Sequence, residues 1–176
     1  MIRLYIREAT ADDIPNLHKL IEMAYRGEAS RVGWTTEADL LAGQRTDPDD
    51  LAEIIADPTQ RILTAWRGEN FAGCVLIADR GGGCGYFGML SVFPPMQSLG
   101  VGRQLVTAAE AAAKALFGAD RMRISVFPQR ETLIAWYERL GYLPTGDTLP
   151  FPYGNPRFGL PKRDDLYFVV MERELA

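Results

Sequence analysis

The chain has 176 residues, 47% hydrophobic and 24% charged, with a formal net charge of -4. This composition excludes a disordered chain, the acidic balance argues against a nucleic-acid binder built on a basic tract, and no apolar run reaches the length of a membrane span. Two cysteines and one histidine exclude a Cys/His metal cluster, and the expectation is one domain over residues 1–176 of a soluble, cytoplasmic protein.

Ile2, Leu4 and Ile6 alternate with Arg3, Tyr5 and Arg7, the period of a half-buried strand. Thr10 with Asp13 reads as a capping box. Ile14, Leu17, Ile21 and the pair Ala24-Tyr25 supply the apolar face of the helix that follows. Pro15 sits just past the ideal first-turn slot, so an irregular start is expected. His18 and Tyr25 read first as partly buried core residues and second as lining of a substrate cleft. Residues 26–46 are less regular. Thr36 with Asp39 is a cap signal ahead of Leu40-Leu41, and Trp34 and Arg45 fall in loops. Asp47-Pro48 opens another helix, with Leu51, Ile54 and Ile55 inside and Pro58 ending it.

Arg61 to Arg67, a turn at Gly68-Glu69-Asn70 and Phe71 to Asp79 form a hairpin pattern. The turn Gly81-Gly82-Gly83 leads into a third strand, Cys84 to Phe93. Pairing about that turn sets Cys84 opposite Asp79, away from Cys74, so a disulfide is not expected. The third strand ends at Pro94-Pro95, neither of which can donate to a ladder. A glycine-spaced turn, Gln97 to Gly102, then opens into a helix that buries Val101, Leu105, Ala109, Ala112 and Leu116 and stops at Gly118. The first N–H groups of a helix lack internal partners and carry the positive end of its dipole. A turn of this kind is either a backbone-built phosphate site or an ordinary strand-to-helix connection. Leu105 stands where a dinucleotide fingerprint needs its third glycine, and Arg103-Gln104 stands where a P-loop needs Lys-Ser/Thr.

Arg121 to Phe127 alternates as a strand, and Leu133, Ile134, Trp136, Tyr137 and Leu140 make a short amphipathic helix with Gly141 at its C′ position. A strand starts at Tyr142, and Leu166 to Met171 reads as a buried strand. Between them, residues 147–163 carry Pro150, Pro152, Pro156 and Pro161 and form either a structured surface loop or a wall over a site. The order is β-α-α-β-β-β-α-β-α-β-β. A single right-handed crossover makes residues 84–93 parallel to 121–127.

Two motifs lie one helix and one strand apart. The first is Leu90-x-Val92-x-Pro94 followed by Gln97-x-x-Gly100-x-Gly102. The second is Arg130 to Tyr142, ending in aromatic-Tyr-x-x-x-Gly-aromatic. Together they resemble the GNAT acetyltransferase superfamily. The resemblance implies an α/β fold of the α+β type, GNAT-like: a mixed, mostly antiparallel central sheet of six to seven strands, flanked by about four helices, with one parallel, splayed strand pair. It implies an N-acetyltransferase with acetyl-CoA as cosubstrate and no metal. Backbone groups of Leu90, Ser91 and Val92 would hold the pantetheine arm and polarise the thioester. Backbone N–H groups of Gln97, Ser98, Leu99, Gly100, Val101, Gly102 and Arg103 would hold the pyrophosphate. Tyr137 matches the tyrosine that protonates the departing thiolate. Arg130 stands where the family often has a cofactor-contacting Asn. The implied acceptor is a small-molecule or peptide amine, with no nucleic acid and no membrane involved and a homodimer left open. Residues 84–93 hold no Asp, Glu or His, so a base must come from elsewhere; Glu28, Glu37, Asp39 and Asp47 are candidates. A non-catalytic acyl-CoA-binding or sensing module and transfer of a longer acyl chain are the alternatives.

Overall fold

A computed structural model describes residues 1–31 and 36–176; Trp34 and the side chain of Glu28 lie outside what is described. Its centre is a seven-stranded sheet of order β1-β3-β4-β5-β6-β9-β7. The strands are β1 (Tyr5–Glu8), β3 (Gln60–Arg67), β4 (Asn70–Asp79), β5 (Cys84–Val92), β6 (Arg121–Val126), β7 (Leu143–Pro150) and β9 (Tyr167–Glu174). Every pairing is antiparallel except β5 with β6. The helices are α1 (Ile14–Tyr25), the single turn α2 (Gly27–Ser30), α3 (Pro48–Ala56), α4 (Val101–Phe117) and α5 (Glu131–Arg139). A separate pair of very short strands, β2 (Leu41–Ala42) and β8 (Leu160–Pro161), lies over one end of the sheet. The main core packs α4 and α5 against the sheet through Leu105, Ala109, Met122, Phe87 and Tyr142; α1 and α3 build a second cluster through Leu17, Ile21, Leu51 and Ile62.

The strand order matches the sequence pattern, and the departures from it have local causes. The first strand begins at Tyr5, not Ile2, because the Gln104 side-chain amide donates to the Ile2 carbonyl at 2.9 Å and holds the N-terminus against α4. Asp13 accepts the Thr10 N–H at 2.8 Å as the capping box requires, but the first turn, Ala11–Asp13, is 3-10; Pro15, with no N–H to donate, falls in the next turn. Thr36–Asp39 does not start a helix. The chain turns there and continues as β2, because residues 160–162 take up its backbone groups: Leu40 accepts the Lys162 N–H at 2.9 Å. The three-residue glycine turn pairs Cys84 with Arg80, one position from the expected Asp79. Both cysteines are buried and free. In α4 the spacing of four continues to Ala113, which is fully buried, whereas Leu116 is 46% exposed. Only Val170 and Met171 of β9 are buried, so that strand is less enclosed than its apolar run implies.

Two contacts give tests of this frame. The Arg7 guanidinium meets the Asp13 carboxylate with two bonds, at 2.8 and 2.9 Å. That pairing, with the cap, holds the Asp13 carboxyl below its ordinary value. Because the folded value is the lower one, its stabilisation is present above the unfolded carboxylate pKa of about 3.9 and is lost as pH falls through the folded value. Asp13→Ala should therefore cost about 1–2 kcal/mol at pH 7, a difference from wild type that closes in urea titrations repeated at pH 3 and below. At Gly73, a Cβ would lie 2.6 Å from the Ser91 carbonyl oxygen and 2.9 Å from Leu105. Gly73→Ala should lower stability by about 1–3 kcal/mol, read as a shifted midpoint with an unchanged m-value.

Candidate active site

β5 and β6 pair over three positions only, Cys84 to Tyr86 with Arg121 to Arg123. Beyond Tyr86 they separate. The cause lies on the other side of β5, where the register with β4 jumps from Leu76–Gly88 to Cys74–Ser91. Val75 thus faces two residues, Met89 and Leu90, and Met89 takes φ 51°. Such a bulge bends its strand and increases its twist. Downstream of it, the Phe93 N–H donates to Ala72 on β4 at 2.8 Å. By the alternation of a strand, the backbone groups of Val92 and Leu90 face the opening. Their carbonyls are engaged there: the Tyr25 hydroxyl donates to the Leu90 oxygen at 2.5 Å and the Gln97 amide to the Val92 oxygen at 3.2 Å. The Ser91 side chain is turned inward and donates to the Met89 carbonyl at 3.0 Å.

At one end of the opening, a 3-10 turn, Pro94–Met96, leads to the turn that starts α4. Ser98 (φ 67°) and Gly100 (φ 83°) are both left-handed, and this coils the backbone so that α4 begins at Val101. The Val101 side chain is buried in the core, while Leu99 is 42% exposed. Ser98, Gly100, Gly102 and Arg103 form one side of a surface hollow, and Thr132, Trp136 and Arg139 of α5 form the other. Those three α5 positions share one helical face at spacings of four and three. That spacing was the available sign that α5 contributes a wall and a second cation beside the loop.

At the other end lies a cleft of about 290 Å³, walled by α1, β5, β6, α5 and residues 149–152. Tyr137 lines it and is 6% exposed. Its ring sits edge-on to Phe87, Trp136 and Tyr142. Burial pushes its pKa above the ordinary 10, and the Tyr25 hydroxyl pushes the same way while the Arg130 charge partly offsets them. Tyr137 is therefore a proton carrier at neutral pH, though a weaker acid than a free phenol. Tyr25 is pushed up to about 12, mainly by burial.

Arg130 lies in this cleft, apart from the hollow beside Gly100. It donates to Glu37 Oε2 at 3.2 Å and its guanidinium carbon is 5.8 Å from the centre of the Tyr25 ring. Arg26 donates to Glu37 Oε1 at 2.7 Å and to the Phe158 carbonyl at 3.1 Å. Glu37 is thus held between two arginines. Of the other candidate bases, Asp39 is exposed and pairs with Arg31, and Asp47 caps α3, accepting the Asp50 N–H. The Arg157 guanidinium and that N–H hold the Asp47 carboxyl at about 2. Residues 147–163 do wall the cleft: Phe151 is buried against Phe127, and Arg157 bonds Asp47 and Glu53 of the α3 region. Among the described residues no group of three or more His, Cys, Asp or Glu could hold a metal, and no helix is long and apolar enough to cross a membrane.

The sequence profile of the acetyltransferase (GNAT) family matches residues 17–142. No curated protein matches the chain. Among solved structures, the putative acetyltransferase yncA of Salmonella typhimurium, determined with acetyl-CoA, superposes with TM-score 0.67 at 18% identity over 99% of this chain and 95% of that one. The ribosomal-protein-S18-alanine N-acetyltransferase of Escherichia coli gives 0.70 at 13% identity, over 99% and 95%. Spermidine/spermine N-acetyltransferase SpeG of Vibrio cholerae gives 0.66 at 16%, over 98% and 92%. At such identities these likenesses speak for the fold; with the profile covering most of the length, the chain belongs to the GNAT family of acetyltransferases.

Proposed function

We propose that the protein transfers an acetyl group from acetyl-CoA to a primary amine by direct attack, as one catalytic domain spanning residues 1–176. The observation that carries this is the parting of β5 from β6 beside α5. The β5–β6 ladder stops after three positions, and α5 contributes to both the helix-start hollow, through Thr132 and Trp136, and the cleft, through Leu133 and Tyr137.

In this reading the cosubstrate's pyrophosphate lies at the start of α4, where helix N–H groups and the side chains of Arg103 and Arg139 favour an anion. The pantetheine arm extends along β5 past Val92 and Leu90, and the thioester carbonyl meets a strand N–H, a fixed donor for the oxyanion of the tetrahedral intermediate. The amine nitrogen forms the new C–N bond, the C–S bond breaks, and the thiolate takes a proton from Tyr137. Burial raises the phenol pKa, but the same low-dielectric cleft also raises the basicity of the thiolate, so donor and acceptor stay matched. The Tyr25 hydroxyl fixes the Leu90 carbonyl and with it the orientation of the peptide that follows.

The entering amine must be neutral. For a lysine-like amine at pH 7 this costs about 4.6 kcal/mol, ~3.4 pKa units at ~1.36 kcal/mol each. Within the described part of the cleft, Glu37 is the one carboxylate lining it, and both its oxygens are already bonded to arginines. The cationic surroundings themselves lower the pKa of an entering ammonium.

Tyr137→Phe should lower kcat by about 100-fold or more while the Kd for acetyl-CoA, measured by calorimetry, changes little; unchanged turnover would sink the acid role, and binding without turnover of any amine in the wild type would point to the sensing module instead. Gly100→Val forces a β-branched residue into φ 83°. It should weaken acetyl-CoA binding about 5- to 30-fold, from ~1–2 kcal/mol of backbone strain, with circular dichroism confirming that the variant stays folded.

A further inference from the structure

The cleft beside Tyr137 has an unusual charge balance for a site that receives an amine. Among the described residues three arginines line it, Arg26, Arg45 and Arg130, against one carboxylate, Glu37. Glu37 is shared by Arg26 and Arg130. Arg45 has a different environment. Its guanidinium carbon stands 5.4 Å from the centre of the Tyr25 ring, whose hydroxyl is on the Leu90 carbonyl. No carboxylate among the described residues pairs with its side chain; Glu22 lies behind it and takes the main-chain N–H groups of Arg45 and Thr46, at 2.8 and 3.0 Å.

A neighbouring hollow shares Arg45, Gly88 and Met89 with the cleft and adds Asp50, Glu53, Asp57 and Arg80. Those carboxylates are engaged. Asp50 accepts from the Thr46 hydroxyl at 2.6 Å, Glu53 pairs with Arg157 at 3.3 Å, and Asp57 takes Thr59 and Gln60 at 2.8 Å. Arg80 rests on the Tyr86 ring. Arg26 also borders the cleft. Arg26, 6% exposed, has an Nε–H with no partner, the single such buried side-chain polar atom among the described residues. That N–H is enclosed by the protein, and the terminal nitrogens hold Glu37 and the Phe158 carbonyl.

We propose that the acetyl acceptor carries its own carboxylate close to the reacting amine, as an amino acid does, and that Arg45 receives this carboxylate above Tyr25. The proposal rests on the acetyl-transfer function argued above. A guanidinium is suited to a carboxylate through paired N–H bonds. Arg45 on one side of Tyr25 and the Leu90 backbone under its hydroxyl then place carboxylate and amine at opposite ends of the same residue. A polyamine fits poorly, since it has no carboxylate to offer Arg45 and would set an ammonium against that guanidinium. In the reaction the ammonium gives one proton to solvent before attack, the C–N bond forms as the thioester C–S bond breaks, Tyr137 gives its proton to the thiolate, and the second proton lost from the nitrogen restores the phenol; the carboxylate is unchanged.

The test follows thiol release from acetyl-CoA with each common amino acid, its C-terminal amide, and spermidine. The expected result is at least one amino acid whose kcat/KM exceeds that of its amide by about tenfold or more, with spermidine inactive. In Arg45→Gln the KM for that amino acid should rise about 10- to 100-fold, the range of a charge-assisted hydrogen bond; kcat should change much less, and the Kd for acetyl-CoA should stay at the wild-type value. Arg45→Lys should recover part of the loss. Amides or spermidine reacting as well as the amino acids, or an unchanged KM in Arg45→Gln, overturns this acceptor class and leaves acetyl transfer standing. If Arg45→Gln does not fold, the wild-type ratio of amino acid to amide decides alone. Acetyl-CoA binding with no thiol release from any amine overturns acetyl transfer and this proposal with it.

Discussion

The separation of two parallel strands governs the rest of this molecule. β5 and β6 share a ladder for three residues and then diverge, although both are central strands whose backbone groups need partners. The left-handed Met89 and the extra residue it inserts opposite Val75 turn β5 away. Once the ladder is open, its carbonyls are taken by side chains from elsewhere: Tyr25 from α1 and Gln97 from the loop. A strand left this way is an extended peptide edge held in place by the core on both sides. Gly73 makes this possible from the opposite face, since no side chain there could coexist with the Ser91 carbonyl.

The two ends of the gap are built by different means. The loop end is local: two left-handed residues within three positions set the start of α4, and the first N–H groups of a helix have no partners within it. The other end is assembled from distant segments. Arg26 follows α1, Glu37 lies in the turn before β2, Arg130 precedes α5 and Phe158 sits in the wall. Removing one member of such a cluster leaves buried charge without its counterpart, which costs more than an exposed pair ever contributes.

This difference decides what could be read from the residues alone. Alternation, turn glycines and helix periodicity each depend on neighbours a few positions apart, so the strand order, the β5-to-β6 crossover and the capping at Thr10 and Asp47 were legible. The Gln97–Gly102 turn and the Tyr137 helix were legible as motifs for the same reason. The Arg26–Glu37–Arg130 cluster was not: its members are ordinary surface-type charges in sequence, and their bonds span 11 and 93 residues. Nor was β2, because Leu41–Ala42 is a strand only through its partner at Leu160–Pro161. The Thr36 cap signal was real, with its hydroxyl accepting the Ala38 N–H at 3.2 Å, but a cap can close a turn as well as start a helix. The face of α4 drifted from the expected one at Leu116, which is exposed while Ala113 and Phe117 keep the contact with the core.

One edge of the sheet bears on how copies of this chain could meet. β7 is the terminal strand, every one of its residues is exposed, and it pairs with β9 through an interrupted register. Edge strands of this kind invite a second chain to extend the ladder. Here Pro144 and Pro150 lack the N–H such an addition needs, and Gly146 (φ 87°) breaks the line between them. The strand thus guards its own margin. Self-association by continuous sheet extension is disfavoured along β7, so aggregation through that margin is suppressed without a covering helix.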